Sequence, residues 1–321
     1  METHFEIVRY TPERKKEWDG YVAEARNSTF LFRRDYMEYH ADRFADWSLM
    51  FYRNGRLHSL LPAHRKGDTL CSHSGLTYGG LIMKFGVTAM EVVGLFEELN
   101  EYLRKEGFRS VIYKPVPWIY QQHASEEDLY AIFWKCGARL LSRNIGTVIM
   151  VQQRQEWRKD HRRRLRLAHE SGVRVVRDGS LSEFWQVLED NLQKRFNSKP
   201  VHSLAEIELL KNRFPNDIIQ YNAYIGDEIV GGLTFYVTPQ VLRGQYSSTN
   251  ERGKQCGAME AIYEQVLFHD YKDMLYLDFG TSSDPSSDAV INEGLISHKE
   301  GYGGRAICFD TYEWEIIKDE G

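Results

Sequence analysis

Along this chain, short bursts of alternating apolar and polar residues take turns with stretches where apolar residues recur every three or four positions. The second half shows the habit well. GVRVVRDG (172–179) alternates as a strand does, and LSEFWQVLEDNLQKRF (181–196) puts Leu181, Phe184, Trp185, Leu188 and Leu192 on one helical face, with Ser180 or Ser182 placed to cap it. SLAEIELLKNRF (203–214) predicts a second helix, opened by Ser203 and Glu206 in capping-box spacing and stopped by Pro215. Strands follow at 217–225, 228–237 and 241–249, the first two joined by the tight turn Gly226-Asp227. A long helix is expected over 257–271, then a strand over 274–279, a helix near 288–299 and a strand over 305–316.

The first half repeats this order. A strand at 5–10 precedes two helical patterns, PERKKEWDGYVAEA and RRDYMEYHADRF. Strands 47–53 and 56–65 form a hairpin around Asn54-Gly55, a pair suited to a turn with two positive φ angles. A third strand (68–73), a long helix (88–107), a strand (109–115), a helix ended by Gly137 (125–137) and a strand (140–151) complete the set. Both halves read β-α-α-β-β-β-α-β-α-β. The repeat lies in the order of elements and not in residue identity, which points to two copies of one α/β unit joined near 152–160.

Composition narrows the class. With 321 residues, 42% hydrophobic and 13% aromatic, the chain can bury large cores, and the net charge of −5 argues against a nucleic-acid coat protein while leaving local basic patches open. The cysteines, Cys71, Cys136, Cys256 and Cys308, have neither CxxC spacing nor a histidine at metal-ligand spacing, so reduced thiols and no metal are expected. The N-terminal METHFEIVRYTPERKKEW lacks an apolar leader core, and no run approaches about 18 apolar residues, so a soluble, cytoplasmic protein is the expectation.

Four stretches carry candidate chemistry. In QYSSTNERGKQCGAMEAIYEQV a strand runs through a loop with Gly253 and Gly257 into a helix, an arrangement that lets backbone N–H groups meet an anion; the alternative is an ordinary strand-to-helix loop. LDFGTSS sets Asp278 at a strand end. Its Asp-Phe-Gly is no kinase motif, because the glycine-rich nucleotide loop, the Val-Ala-Ile-Lys strand and the His-Arg-Asp loop are all missing. Transfer to an amine needs a proton acceptor; Asp278 and Glu300 are candidates by type, with His298 able to shuttle the proton. The alternatives are a turn-capping Asp278 and a surface ion pair of Lys299 with Glu300. Arg195, Lys199 and His202 lie in the loop between the two helices of the second half, where they could hold an anionic acceptor or simply face water. In WRKDHRRRLRLAHE (157–170), Trp157, His161, Leu165 and Ala168 share a face, leaving Arg158, Arg162, Arg163 and Arg166 largely outward for solvent or for a phosphate-rich ligand such as tRNA. HSGLTYGG (73–80) occupies the matching place in the first half, but no helix starts directly after it.

Taken together, TYGG and KPVPWIYQQHASEEDLYAIF in the first half, with KPVHSLAEIELLKNRFP, GGLTFYV, GQYSSTNERGKQCGAMEAIYE, LDFGTSS and NEGLISHKEGYGGR in the second, resemble the FemAB-like branch of the GNAT superfamily, in which two GNAT units are fused. The resemblance implies an α/β (α+β) chain of two tandem GNAT-like N-acyltransferase units, mixed sheets flanked by helices. Residues 1–152 would form an acceptor-side domain and 153–321 a donor and catalytic domain. It also implies splayed strands and an amide-forming reaction without metal: acyl-CoA (acetyl-CoA) as donor, and an amino sugar or related small amine as acceptor, in cell-surface polysaccharide synthesis. Aminoacyl-tRNA-dependent extension of a peptidoglycan bridge and a non-catalytic binding pair are the alternatives. No coiled-coil arm interrupts the chain, and the glycines at 253 and 257 depart from the family's Gln/Arg-x-x-Gly-x-Gly/Ala pattern. The mechanism expected is direct attack of the amine on the thioester, with Asp278 or Glu300 accepting the proton, directly or through water, and the strand amides near Tyr246–Thr249 stabilising the oxyanion. Carried over residue by residue, the resemblance implies donor contacts from Ser248, Thr249, Arg252, Gly253, Lys254, Gly257 and Ala258, and acceptor contacts from Arg195, Lys199, His202, Gln245, Asn292, His298, Lys299 and Arg305.

Overall fold

The computed structural model describes residues 4–283 and 291–316. In chain order its elements are β1 (Glu6–Arg9), α1 (Lys15–Glu24), α2 (Arg34–Met37), β2 (Ala45–Asp46), β3 (Leu49–Arg53), β4 (Arg56–Leu61), β5 (His64–Lys66), β6 (Thr69–Cys71), β7 (Ile82–Met83), α3 (Ala89–Lys105), β8 (Ser110–Tyr113), α4 (Glu127–Cys136) and β9 (Arg139–Met150). They continue with α5 (Lys159–Glu170), β10 (Arg174–Arg177), α6 (Leu181–Phe196), α7 (Leu204–Arg213), β11 (Ile218–Ile225), β12 (Glu228–Val237), β13 (Val241–Thr249), α8 (Glu251–Cys256), α9 (Ala258–Gln265), β14 (Tyr276–Thr281), α10 (Glu293–Gly301) and β15 (Arg305–Glu315). Two compact units result. One holds residues 1–143 together with 308–321, the other residues 144–307. The first and last parts of the chain therefore share a unit, a division that no single cut along the sequence expresses.

In the first unit, β1, β3, β4 and β7 form one small sheet, and β5 pairs with β2 and β6. The continuous strand expected over 56–65 is split at Pro62, because proline cannot donate to a ladder, and its two halves pair in different places. The second helical pattern, 33–44, yields only the short α2 and a 3-10 turn, Glu38–His40. Long α3 opens on a capping box of Thr88 and Glu91 and buries Val92, Leu95, Phe96, Leu99 and Leu103. Trp314 of the last strand joins this core against Phe96 and Tyr113, which ties the C-terminal strand to the first unit.

The second unit is layered. β10, β11, β12 and β13 run as an antiparallel meander; β13 then pairs in parallel with β14, and β14 antiparallel with 146–150 of β9. Helix α6 lays Phe184, Trp185 and Leu188 on one face of the sheet. On the other face α9 and its π-helical extension Val266–Asp270 pack Ile262, Tyr263, Val266 and Leu267 against Tyr221, Leu233, Phe235 and Leu277. With helices on both faces, the first six residues of β11 are all buried, and the two amides among them, Gln220 and Asn222, are satisfied in part by each other: Gln220 Nε2 donates to Asn222 Oδ1 at 2.8 Å. The helix expected over 257–271 is α9 plus the π turn, and the loop expected before it is helical over Glu251–Cys256, as α8. Of the helix expected near 288–299, positions 288–290 lie outside the described residues, and α10 runs on to Gly301. Among the described residues no helix is long and apolar enough to cross a membrane.

In each unit a parallel strand pair is short. β13 and β14 are in register only where Val241 faces Tyr276, Leu242 faces Leu277 and Arg243 faces Asp278. In the first unit, β6 faces β8 through Thr69, Leu70 and Cys71. There the chain after β6 turns back along β8: Ser72 N–H donates to the Ile112 carbonyl and Gly79 N–H to the Lys114 carbonyl, while the Tyr113 hydroxyl accepts from Leu81 N–H. The HSGLTYGG stretch thus closes the fork in the first unit. In the second unit the fork is open.

Candidate active site in the second unit

A cavity of about 430 Å³ lies where β13 and β14 part, walled by Gly244, Ser247, Ser248 and Thr249 of β13, Phe279 of β14, and residues of α5, α6, α8, α9 and α10. A β-bulge in β13 sets Thr234 opposite Tyr246 and Phe235 opposite Gly244, so Gln245 is the extra residue. The bulge bends the strand at the start of the opening, and the Gln245 Oε1 is buried there with no partner among the described residues.

The cavity is cationic. Arg164 of α5, Arg195 of α6, Lys254 of α8 and Lys299 of α10 all line it. Arg195 is 3.7 Å from Glu251, an exposed and weak pairing. The acidic lining residue, Glu260 of α9, is 2% exposed; its Oε1 accepts from His161 Nδ1 (2.9 Å) and from the Tyr302 hydroxyl (3.1 Å). Burial, the largest single influence, would raise the Glu260 pKa, but the His161 hydrogen bond, a backbone hydrogen bond and the nearby positive charge together outweigh it, and the carboxyl sits below its ordinary value.

Lys299 is 6% exposed, and its Nζ donates to the carbonyls of Gly280 (3.0 Å) and Thr281 (2.8 Å) and to Ser282 Oγ (2.9 Å). These acceptors match the ammonium's hydrogens, so Lys299 clamps the end of β14 to α10 while its charge stays at the cavity wall. Burial lowers its pKa to about 8, against the opposing pull of Asp278. The neighbouring His298 also lines the cavity. Its ring meets those of His161 (centroids 5.0 Å apart) and Tyr302 (5.3 Å), and the protein packed around it, then His161, hold its pKa below the ordinary value.

Of the residues singled out from sequence, Ser248, Thr249, Gly253, Lys254, Arg195, His298 and Lys299 come together on this wall. The others do not reach it. Asp278 is fully buried: Arg243 Nη1 sits 2.5 Å from its Oδ2, and Gly280 N–H donates to its Oδ1 at 2.7 Å. It shapes the turn and lacks access to an incoming amine. Glu300 points to solvent. Tyr246 faces α6 and the α6–α7 loop, against Trp185 and 2.5 Å from His202 Nδ1, and burial pushes its hydroxyl up to about 12. His202, 4% exposed, is thereby part of the packing, and Lys199 is exposed beside it. Arg252 pairs with Glu228 on the surface, Asn292 caps α10 by accepting from Leu295 N–H (3.0 Å), and Arg305 donates to the Gly304 carbonyl (2.6 Å).

The glycines at 253 and 257 have a packing reason. A Cβ on Gly253 would lie 1.9 Å from the Val230 carbonyl oxygen, and one on Gly257, whose φ is +78°, would lie 2.2 Å from that of Arg164. They let α8 approach β12 and α9 approach α5, and Ala258 is wholly buried in the core. In the first turn of α8 the Gly253 N–H is capped, donating to Asn250 Oδ1 at 2.8 Å. Among the cationic side chains on this wall, Arg164 is the one that sequence reasoning missed. It sits in a run of arginines whose individual directions are set by how α5 seats His161 and Ala168 in the core.

A mixed sheet with a short parallel pair that forks, a bulged strand at the fork and helices on both faces make up the second unit, and together with the first unit they give the fold of tandem GNAT proteins. Solved structures agree. The chain is similar to FemX (TM-score 0.66, 12% identity, 97% of each chain covered) and to L-PGS from Bacillus licheniformis (0.62, 12%, 98% of this chain and 94% of that one). It is also similar to a tandem GNAT protein from the clavulanic acid biosynthesis pathway, solved without AcCoA (0.53, 12%, 99% and 100%). At these identities the match is one of fold. No protein-family model matches the sequence, and no curated protein matches it either.

Proposed function

We propose that the second unit transfers an acyl group from an activated, phosphate-bearing donor to an amine, with acyl-CoA as donor and an amino sugar or related small amine as acceptor. The observation that carries this reading is the open fork between β13 and β14, ringed by Arg164, Arg195 and Lys254 and edged by the buried ammonium of Lys299. The donor supplies a carbonyl already activated by its leaving group. The chain supplies a cationic surround for phosphate oxygens, a strand edge along 244–249 against which an acyl chain can lie, and the Lys299 charge, which favours negative charge developing on the carbonyl oxygen in a partly water-excluded site. The cationic side chains fit a phosphate group.

The test is calorimetry with acetyl-CoA, followed by mass spectrometry for an amide on a panel of amino sugars. Micromolar to millimolar binding with a product mass increased by one acyl group supports the reading; no binding at millimolar acetyl-CoA defeats this donor.

A second reading has its own observation. Arg164 belongs to α5, whose Lys159, Arg163 and Arg166 are exposed, a basic stripe leading from the cavity that suits the end of an RNA. An aminoacyl ester on tRNA would present the same reacting carbonyl. Retention of aminoacyl-tRNA on filters, lost steeply as salt rises, would favour it; no retention at low salt rules it out.

A further inference from the structure

His161 is 1% exposed, and its two ring nitrogens are treated unequally: Nδ1 bonds Glu260, while Nε2 has no hydrogen-bond partner among the described residues. The Nε2 edge lies against α10, where a Cβ on Gly301 would come within 2.5 Å of it. One turn earlier on α10 stands His298, whose ring is tilted 52° over His161 at 5.0 Å and which opens into the cavity. A histidine at the cavity thus sits on a buried histidine, which sits on a buried carboxylate.

The other titratable groups on the cavity wall are poorly placed to take a proton. Glu260 has its Oε1 engaged by His161 and Tyr302, and its pKa is lowered. The Lys299 hydrogens are directed at the end of β14, and burial holds the Tyr263 and Tyr302 hydroxyls protonated. Arg164, Arg195 and Lys254 are cations.

On the transferase reading above, we propose that His298 takes the proton of the acceptor amine as the amide forms, that His161 is a positioning residue whose ring seats that of His298 and links it to Glu260, and that the Glu260 charge favours the resulting imidazolium. The amine nitrogen bonds to the acyl carbon, the carbon–sulfur bond of a thioester (or carbon–oxygen bond of an ester) breaks, and the proton passes from nitrogen to His298 and on to the departing thiolate or alkoxide. The groups facing His298 are His161 and Arg164 from α5, Arg158 just before it, Glu260 from α9, Lys299 of α10 and Tyr302 just after that helix. Glu260 opposes the histidine and arginines, keeping the site basic enough to accept a proton near neutral pH.

The experiment has two readouts. In protein carrying ¹³Cε1-labelled histidine, His298 is assigned by its loss in His298→Gln. It is expected to titrate below the ordinary histidine value in wild type and lower still in Glu260→Gln; an unchanged titration in Glu260→Gln overturns the role given to the Glu260 charge. Glu260→Asp, which keeps the charge, should restore the wild-type titration. In the transfer assay, kcat/KM should fall on the acid side of the His298 pKa. His298→Gln and His298→Asn should lose about 10²–10⁴-fold in kcat and the acid limb with it, while still binding donor. A wild-type protein that transfers nothing from any donor defeats the transferase reading and this assignment together. An active wild type whose His298 variants keep both rate and acid limb overturns this assignment alone.

Discussion

Arg243 and Asp278 face each other across the last parallel pair of β13 and β14, with Arg243 Nη1 2.5 Å from Asp278 Oδ2, and the cavity opens directly beyond them. The pair holds the strands together where they are about to separate. Asp278 is fully buried and Arg243 nearly so, so removing one charge strands the other. Asp278→Asn is expected to cost about 3–5 kcal/mol, read as a fall in the urea midpoint at unchanged slope. The acid limb of any pH–rate profile should stay where it is in the protein that remains folded; a limb that disappears in Asp278→Asn would make Asp278 the base.

Gly257→Ala should be at least as damaging as an ordinary overpacking change of about 1–3 kcal/mol, because it meets both a positive φ and the Arg164 carbonyl. Gly253→Ala meets the Val230 carbonyl in the same way. Thermal unfolding checks both. Wild-type melting temperatures would show that the glycines are free to serve a ligand.

Lys299→Met leaves the carbonyls of Gly280 and Thr281 without their donor, and a loss of about 1–3 kcal/mol is expected at neutral pH. Its pH dependence has a defined sign. The folded pKa of about 8 lies below the unfolded value of 10.5, so between these values the unfolded chain holds more protons and the Lys299 contribution to stability rises with pH. Stability curves of wild type and Lys299→Met at pH 7 and pH 10 measure it: the gap should shift in favour of wild type as pH rises.

The first unit should be acid-sensitive. His40, His64 and His73 are each at most 4% exposed, and the ring of His73 lies 5.4 Å from His40 and 5.6 Å from His64. Burial, reinforced by the neighbouring histidines, pushes His73 down to about 3, and burial lowers His40 and His64 as well. Below the unfolded value of 6.5 the unfolded chain takes up protons that the folded one refuses, so stability falls as pH drops. Between pH 6.5 and 5, His73 alone accounts for about 1.5–2 kcal/mol. Denaturant titrations at the two pH values, in wild type and in His73→Asn, test this; the variant should show the shallower dependence.

Much of the second unit was legible because its strands and helices obey their own periods. The face of α6 with Phe184, Trp185 and Leu188 and the boundaries of β12 and β13 follow from spacing alone. Pro62 splits a strand for a reason visible in the sequence, yet where the two halves then pair is a long-range matter. The chemistry was less legible than the fold. Gly253 and Gly257 look like an anion loop when their neighbours are read along the chain, and like packing glycines once Val230 and Arg164 stand beside them in space. Asp278 carries the right functional group for a base, but Arg243, 35 positions earlier, neutralises it. Nothing local distinguishes Arg164 from the arginines next to it, and nothing places His161 under His298.

Hydrophobic period and capping act within a few residues, so the order of elements, their doubling and their buried faces can be read along the chain. The tertiary structure alone decided which polar groups meet. That depends on the fork between β13 and β14, on the refilling of the matching fork in the first unit, and on a final strand that joins the first unit from the far end of the chain. Burial and charge pairing are properties of neighbours in space, and they turned one carboxylate into a strap and left a histidine facing the cavity.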